Sequence, residues 1–224
     1  MIPRVKFINM AHIFNKNNIY DPAKTWFFSD PHFGHDNVLK FEKGYHNFNS
    51  IEDHDQAIIS NWNMTVQPGD TVFFLGDAAM PRTKLTYLKE VFAQLNGSIV
   101  WFRGNHDDHI EGPWLNELSH VANILEFTYY KEIFIPDTEQ TTFPDGNRYL
   151  RKLALFHYPI FEHNGRGKGV YHLYGHSHEK VHPIFNTYSV CACLTDYTPV
   201  NFDWVKKKIN DHNAGLDRPG ELSL

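Results

Sequence analysis

Five short apolar runs, each broken off by a cluster of polar side chains, set the limits on what this chain can fold into. They are Thr25 to Phe28 (TWFF), Thr71 to Leu75 (TVFFL), Ser98 to Phe102 (SIVWF), Lys152 to Phe156 (KLALF) and Val170 to Tyr174 (VYHLY). All have strand length and are rich in β-branched and aromatic residues. Their apolarity is continuous rather than alternating, which a strand tolerates when both of its faces are covered. The pattern implies a central sheet sandwiched between other layers.

Helical patterns lie between the runs. Ser50-Ile51-Glu52-Asp53 resembles a capping box opening a helix through about Trp62, and Leu85, Leu88, Val91, Phe92 and Leu95 form an apolar stripe closed by Asn96-Gly97. The first half therefore repeats strand, helix, strand. In the second half, Glu126 to Pro136 and Asn147 to Phe156 flank a polar Pro-Gly-containing stretch and are expected to pair as a hairpin. A further hairpin is expected from Val181 through Val190 to Pro199, and Asn201 is expected to cap a last helix through Val205 to Ile209. At 224 residues the chain is read as one α/β domain spanning 1–224. Residues 1–22 form an N-terminal extension, an edge strand or an added contact surface, and 213–224 a frayed tail.

Hydrophobic residues at 42% beside 21% charged describe an ordinary globular protein, and no apolar run is long enough for a membrane span. No secretory signal is read at the N-terminus, so a cytoplasmic address is expected. A net charge of −5 argues against a broad basic surface for long nucleic acid. Cys191 and Cys193, one residue apart, suit two packed thiols on one strand face better than a strained disulfide. The unusual number is 15 histidines, scattered along the chain.

The residues directly behind each run carry the chemistry. The endings are Ser29-Asp30-Pro31-His32, Gly76-Asp77, Arg103-Gly104-Asn105-His106-Asp107, His157-Tyr158-Pro159 and Gly175-His176-Ser177-His178. In α/β folds such loops gather beyond the carboxyl ends of the strands, so residues distant in sequence can converge. Strand alternation is expected to turn Asp30 and His32 to one side. Carboxylates, an amide oxygen and several imidazoles suit Mn²⁺, Fe²⁺ or Zn²⁺, with Ni²⁺ a further candidate, better than Mg²⁺ or Ca²⁺. Six or seven ligands are too many for one tetrahedral zinc. Two ions about 3.5 to 4 Å apart, sharing one carboxylate, are the natural reading.

The ordered series Asp30-x-His32, Gly76-Asp77, Gly104-Asn105-His106-Asp107, His157 and Gly175-His176-x-His178 resembles the calcineurin-like metallophosphoesterases. Phe33-Gly34-His35-x-Asn37, His157-Tyr158-Pro159-Ile160 and Asp196-Tyr197-x-Pro199-Val200 are similar to that family's small, single-domain bacterial and phage branch. The resemblance implies a four-layer α/β/β/α sandwich, metallo-dependent phosphatase-like, with two mixed sheets flanked by helices. It assigns Asp30, His32 and His178 to a first metal, Asp77 to a bridge, and Asn105, His157 and His176 to a second. His106 would be the acid at the leaving oxygen, and Asp107 would orient it. The implied cofactors are two divalent transition-metal ions, Mn²⁺ first among them.

The implied reaction is hydrolysis of a small phosphodiester or phosphomonoester, a nucleotide among the candidates, by metal-bound hydroxide. A metal-dependent nuclease and a non-catalytic interaction scaffold are the rival readings. No stable nucleic-acid partner and no membrane partner are expected, and the oligomeric state is left open. For a phage-encoded chain the address becomes the host cytoplasm.

His35 and Asn37 are candidates for substrate contact or for support behind the ligands. Arg166, in the loop Gly165-Arg166-Gly167-Lys168-Gly169, is a candidate phosphate contact, although the loop lacks Walker spacing. Val190-Cys191-Ala192-Cys193 is wholly apolar or soft where the small branch usually carries glycine and acid. That departure bears on the substrate rim and involves none of the ligand residues. Asp70 reads as a turn residue, and His46, His54, Asp108, His109, His120, His172 and His182 as surface or ordinary packing.

Overall fold

The apolar runs become strands within a residue or two of where the sequence puts them. The computed structural model describes residues 18–41, 48–137, 139 and 150–217. Its strands are β1 (Thr25–Phe28), β2 (Thr71–Phe74), β3 (Ser98–Phe102), β4 (Asn123–Thr128), β5 (Tyr130–Pro136), β6 (Leu150–Phe156), β7 (Tyr171–Tyr174), β8 (Thr187–Ser189) and β9 (Val200–Asn201). The helices are α1 (Val38–Phe41), α2 (Ile51–Thr65), α3 (Leu85–Phe92), α4 (Pro113–Leu118) and α5 (Phe202–Asn213).

Two mixed sheets result. The first has the order β4-β3-β2-β1-β9, parallel except for β9; in the second, β5-β6-β7-β8, only β5 runs antiparallel to its neighbour. Strand alternation sorts the first sheet's apolar residues. Phe28, Phe74 and Trp101 face Ile58 and Trp62 of α2 and Leu88 and Phe92 of α3. Phe27, Phe73, Val100 and Phe102 face Leu153, Leu155 and Leu173 of the second sheet, and α5 adds Val205 and Ile209 to that layer. Each fully buried side chain of this size contributes about 1.5–3 kcal/mol. Both faces of the first sheet are therefore covered, which is why its strands carry no polar alternation. Among the described residues no helix is long and apolar enough to cross a membrane.

Local signals explain the helix ends. The Ser50 hydroxyl accepts from Asp53 N (3.1 Å) at the start of α2, and Asn201 Oδ1 accepts from Trp204 N (2.9 Å) at the start of α5. Helix α3 stops at Phe92, short of Leu95, because Gln94 N and Leu95 N turn back to Val91 O and Phe92 O in a tighter closing turn.

Some expectations are corrected. Glu126 to Pro136 is not one arm of a hairpin: β4 pairs parallel with β3, the chain changes sheet at Tyr129, and only β5 pairs with β6. No hairpin forms between Val181 and Pro199. Strand β8 adds parallel to β7, while β9 crosses to the first sheet beside β1. Cys191 and Cys193 are buried and form no disulfide, but Cys191 caps a 3-10 turn at Ala192–Leu194 and Cys193 lies within it, so the two do not share a strand face.

The tail is pinned through Asp217, which accepts from Lys208 Nζ at 2.9 Å, and Asn213 exchanges two hydrogen bonds with Asn186 (2.9 and 2.8 Å). Residues 218–224 and 1–17 lie outside the described residues, as does His46. Ile19 bridges Phe134, the start of an edge contact on β5.

Candidate metal centre

Beyond the carboxyl ends of β1, β2, β3, β6 and β7 the backbone leaves regular geometry at once. Nine non-glycine residues with positive φ occur among the described residues, and five of them are Asp30 (φ 56), His32 (47), Asp77 (55), His176 (65) and His178 (47). A left-handed backbone costs a residue with a Cβ on the order of 1–2 kcal/mol, so such a concentration is strain that the surrounding structure must hold in place. It also corrects the alternation argument. Strand β1 ends at Phe28, and Asp30 and His32 meet because both are left-handed around Pro31, not because they alternate along a strand.

Glycines make room for the crossing loops. A Cβ on Gly104 would lie 2.1 Å from Asp77 Oδ1, and one on Gly175 would lie 2.4 Å from Asp30 Oδ2.

Two groups of donors converge. Asp30, His32 and His178 offer ligand atoms within 4.8 Å of one another, as do Asp77, His157 and His176. His32 Nε2 and His178 Nε2 are 3.2 Å apart with their rings nearly parallel. Two nitrogens at about 2.1 Å from one ion stand about 3.0 Å apart at a right angle and about 3.4 Å at the tetrahedral angle, so this pair has chelating spacing. Asn105 Oδ1 lies 3.0 Å from His157 Nε2 and 2.7 Å from His176 Nδ1, which adds an amide oxygen to the second group. Asp77 Oδ2 lies 3.5 Å from His157 Nε2 and 4.0 Å from His32 Nε2, between the two groups. The donor set and its spacing fit two divalent cations.

Hydrogen bonds fix how each donor is presented. His157 Nδ1 sits 2.7 Å from Leu75 O, which makes Nδ1 the donor and turns Nε2 to the centre. Asp77 Oδ1 accepts from His106 N (2.8 Å), leaving Oδ2 free to face the imidazoles. Both oxygens of Asp30 accept from His176 N, at 2.9 and 3.0 Å. Cys191 Sγ also lies 3.0 Å from Asp30 Oδ2, so the apolar 190–193 segment packs against a candidate ligand.

Asp107 departs further from its expected part. Its carboxylate accepts from Asp77 N (2.9 Å), Ala78 N (3.0 Å), Gly104 N (2.9 Å) and Trp101 Nε1 (3.1 Å), tying the β2 and β3 loops together. None of these donors is the His106 ring.

Burial and charge act against each other here. Burial, with the Asp77 charge adding, raises the Asp30 carboxyl, while burial lowers His32 to about 3. For Asp77 burial is outweighed by the hydrogen bond and charge of His157, which bring it to about 2. For His157 burial is outweighed by Asp77 and by the Asp30 charge, which raise it to about 9. An imidazole pKa raised by two carboxyl groups marks a place where negative charge collects. Burial, then the Asp77 charge, raises Asp107 to about 6.

His106 stands outside both donor groups, with Nε2 4.0 Å from Asp77 Oδ2, and it lines a cleft of about 700 Å³ with His32, His35, His178, Met80 and Lys180. His35 is thus brought to the site. Asn37 is exposed and accepts from Lys40 Nζ (3.1 Å). Arg166 is committed elsewhere: it pairs with Glu162 (3.0 Å) and lies over the Phe161 ring.

Asp70, a turn residue, is also a buried acceptor for Trp26 Nε1 (2.9 Å). Sequence reasoning missed Asp55, whose buried carboxylate holds Gly34 N (2.7 Å), Tyr87 Oη (2.5 Å) and His54 Nδ1 (2.7 Å) behind the His32–His35 loop. A buried acid whose tyrosine partner sits on another helix leaves no local signal.

No family model matches the chain. It is 27% identical over 195 residues to an uncharacterized protein of Methanocaldococcus jannaschii, spanning 83% of this chain and 91% of that one. The crystal structure of a protein of unknown function from Aquifex aeolicus superposes with a TM-score of 0.57 at 20% identity, covering 82% of this chain and 97% of that one. At that identity the likeness speaks for the fold alone.

Proposed function

We propose that the chain is a binuclear metal-dependent phosphoesterase of the calcineurin-like kind, acting on a small phosphodiester or phosphomonoester. The observation that carries the reading is the convergence of two donor groups, with Asp77 Oδ2 within 4.0 Å of an imidazole of each and five of the six donor residues left-handed and non-glycine. Strain of that order persists only where the surrounding structure over-determines it. The four-layer α/β/β/α sandwich is the finer fold reading that goes with this proposal. The two mixed sheets and the position of the ligands behind their strands support it. A cytoplasmic address goes with it too.

In this reading Asp30, His32 and His178 hold one ion, Asn105, His157 and His176 the other, and Asp77 serves both. Mn²⁺ leads the candidates, ahead of iron, zinc and nickel. When bound, the two cations supply Lewis acidity: they neutralise charge on phosphoryl oxygens and make a water nucleophilic at neutral pH. The remaining work belongs to side chains. His106 is placed to give a proton to the leaving oxygen, because it borders the cleft yet is not consumed as a ligand. Asp107 acts through the backbone, holding Asp77 and Gly104 in register.

The test is nitrophenol release from bis-p-nitrophenyl phosphate and p-nitrophenyl phosphate by chelator-stripped protein reloaded with Mn²⁺. Turnover that requires the metal and falls about 10²- to 10⁴-fold in His106→Ala is the expected result. Two bound ions without turnover of either ester would instead favour an interaction scaffold.

A further inference from the structure

A row of exposed or half-buried aromatic rings leads away from the second donor group. The Tyr158 ring lies 4.8 Å from the His176 ring and 4.9 Å from the His157 ring. Phe156 is 5.4 Å from Tyr158, and Tyr130, its partner across the β5–β6 pair, is 6.5 Å from Phe156. Tyr158 and Tyr130 are 37% and 39% exposed, so neither side chain is spent wholly on the core. Isolated surface aromatics are ordinary, whereas a contiguous row abutting candidate metal ligands is a patch with a use.

The cleft lined by His35, Met80 and His106 borders the first donor group instead, and neither His157, His176 nor Tyr158 lines it. The centre therefore has two flanks of different character. A phosphomonoester has one substituent and would leave one flank empty. A phosphodiester has two.

We infer that the substrate is a nucleoside phosphodiester whose leaving group enters the His106 cleft and whose retained nucleobase stacks on the Tyr158 shelf. This inference rests on the proposed phosphoesterase reading. The assignment of flanks comes from the proton: the leaving oxygen must reach the acid, and His106 borders the cleft. Water supplies the oxygen that bonds to phosphorus. The bond from phosphorus to the leaving oxygen breaks with its electron pair on that oxygen, which takes the proton of His106. The proton lost by the water returns to His106 by way of solvent, and the products are a nucleoside monophosphate and an alcohol. Stacking tolerates every base, because each presents a π-face.

The test uses the manganese-loaded full chain and three esters: dithymidylate, the diester of two glycerols, and thymidine monophosphate. The wild type is expected to favour dithymidylate over both others in kcat/KM. Tyr158→Ala is expected to cut the preference for dithymidylate over the glycerol diester by about 5- to 150-fold, through KM, with Tyr158→Phe retaining it. A ratio equal in Tyr158→Ala and wild type, or a wild type that prefers the monoester, overturns the inference. Where no ester turns over, calorimetric binding of thymidine monophosphate separates the two ideas. Weaker binding in Tyr158→Ala than in Tyr158→Phe upholds the shelf and removes the hydrolase reading, and equal binding removes the shelf as well.

Discussion

Phe27, Phe73 and Val100 sit in extended strands and bury their side chains on the face that alternation assigns them. Asp30 and Asp77, a few residues further along two of the same strands, are just as buried, yet they are polar carboxyl side chains, left-handed and crowded against glycines. The strand bodies satisfy local propensity, hydrophobic pattern and packing together; the strand ends violate the first two. A fold retains such a conflict where a site needs it, with the stability of the bodies holding the ends in place. The two regions should therefore answer differently to mutation.

The largest difference is expected at the glycines. Gly104→Ala would set a Cβ 2.4 Å from Asp77 N, so the backbone must move and Asp77 with it. Metal binding should be lost, with a stability cost of roughly 1–3 kcal/mol or more. Phe73→Ala, in a strand body, should cost about 3–5 kcal/mol in denaturant unfolding while a metal titration of the folded protein keeps its stoichiometry. A Gly104→Ala protein that bound metal normally would break the comparison.

Next comes the behaviour of a buried histidine that belongs to the core. His172 places Nδ1 3.0 Å from Ala154 O, and its Nε2 accepts from Ile160 N at 3.1 Å, so both nitrogens are satisfied in the neutral form. Burial lowers its pKa to about 4. The unfolded chain then binds the proton more tightly, so the neutral ring's contribution is fully present above about pH 6.5. It is lost as pH falls toward 4, by about 3 kcal/mol in all. The difference in unfolding free energy between wild type and His172→Gln, measured over that range, should trace this loss, and a flat difference would refute it.

The smallest effects are expected away from both regions. Ser50→Ala removes the cap of α2 and should cost about 1 kcal/mol without changing metal stoichiometry. Gly69→Ala meets nothing within 4 Å and should stay within about 0.5 kcal/mol by thermal unfolding.

The same contrast explains what could be read from the sequence. Strand bodies announce themselves by composition, and the ligand residues stand out because they interrupt it: Asp30, Asp77, Asn105, His157 and His176 each come just behind an apolar run. Pairing across sheets leaves no such mark. Nothing near Tyr129 says that the chain changes sheet there, and β8 and β9, at three and two residues, are too short to show which strand they join. Contacts made over long separations are equally silent. Cys191 reaches Asp30 across 161 residues, and Asp107 spends its carboxylate on backbone N–H groups that no motif encodes.

The central claim is a pair of ions sharing Asp77, and the most direct test is a count. Manganese bound per chain should be measured by elemental analysis after chelator stripping, reloading and gel filtration, for wild type and Asp77→Asn. The account predicts two ions in the wild type and loss of both sites' tight binding in the variant. A wild type that retains no ion, or an Asp77→Asn protein that still holds two, would contradict it.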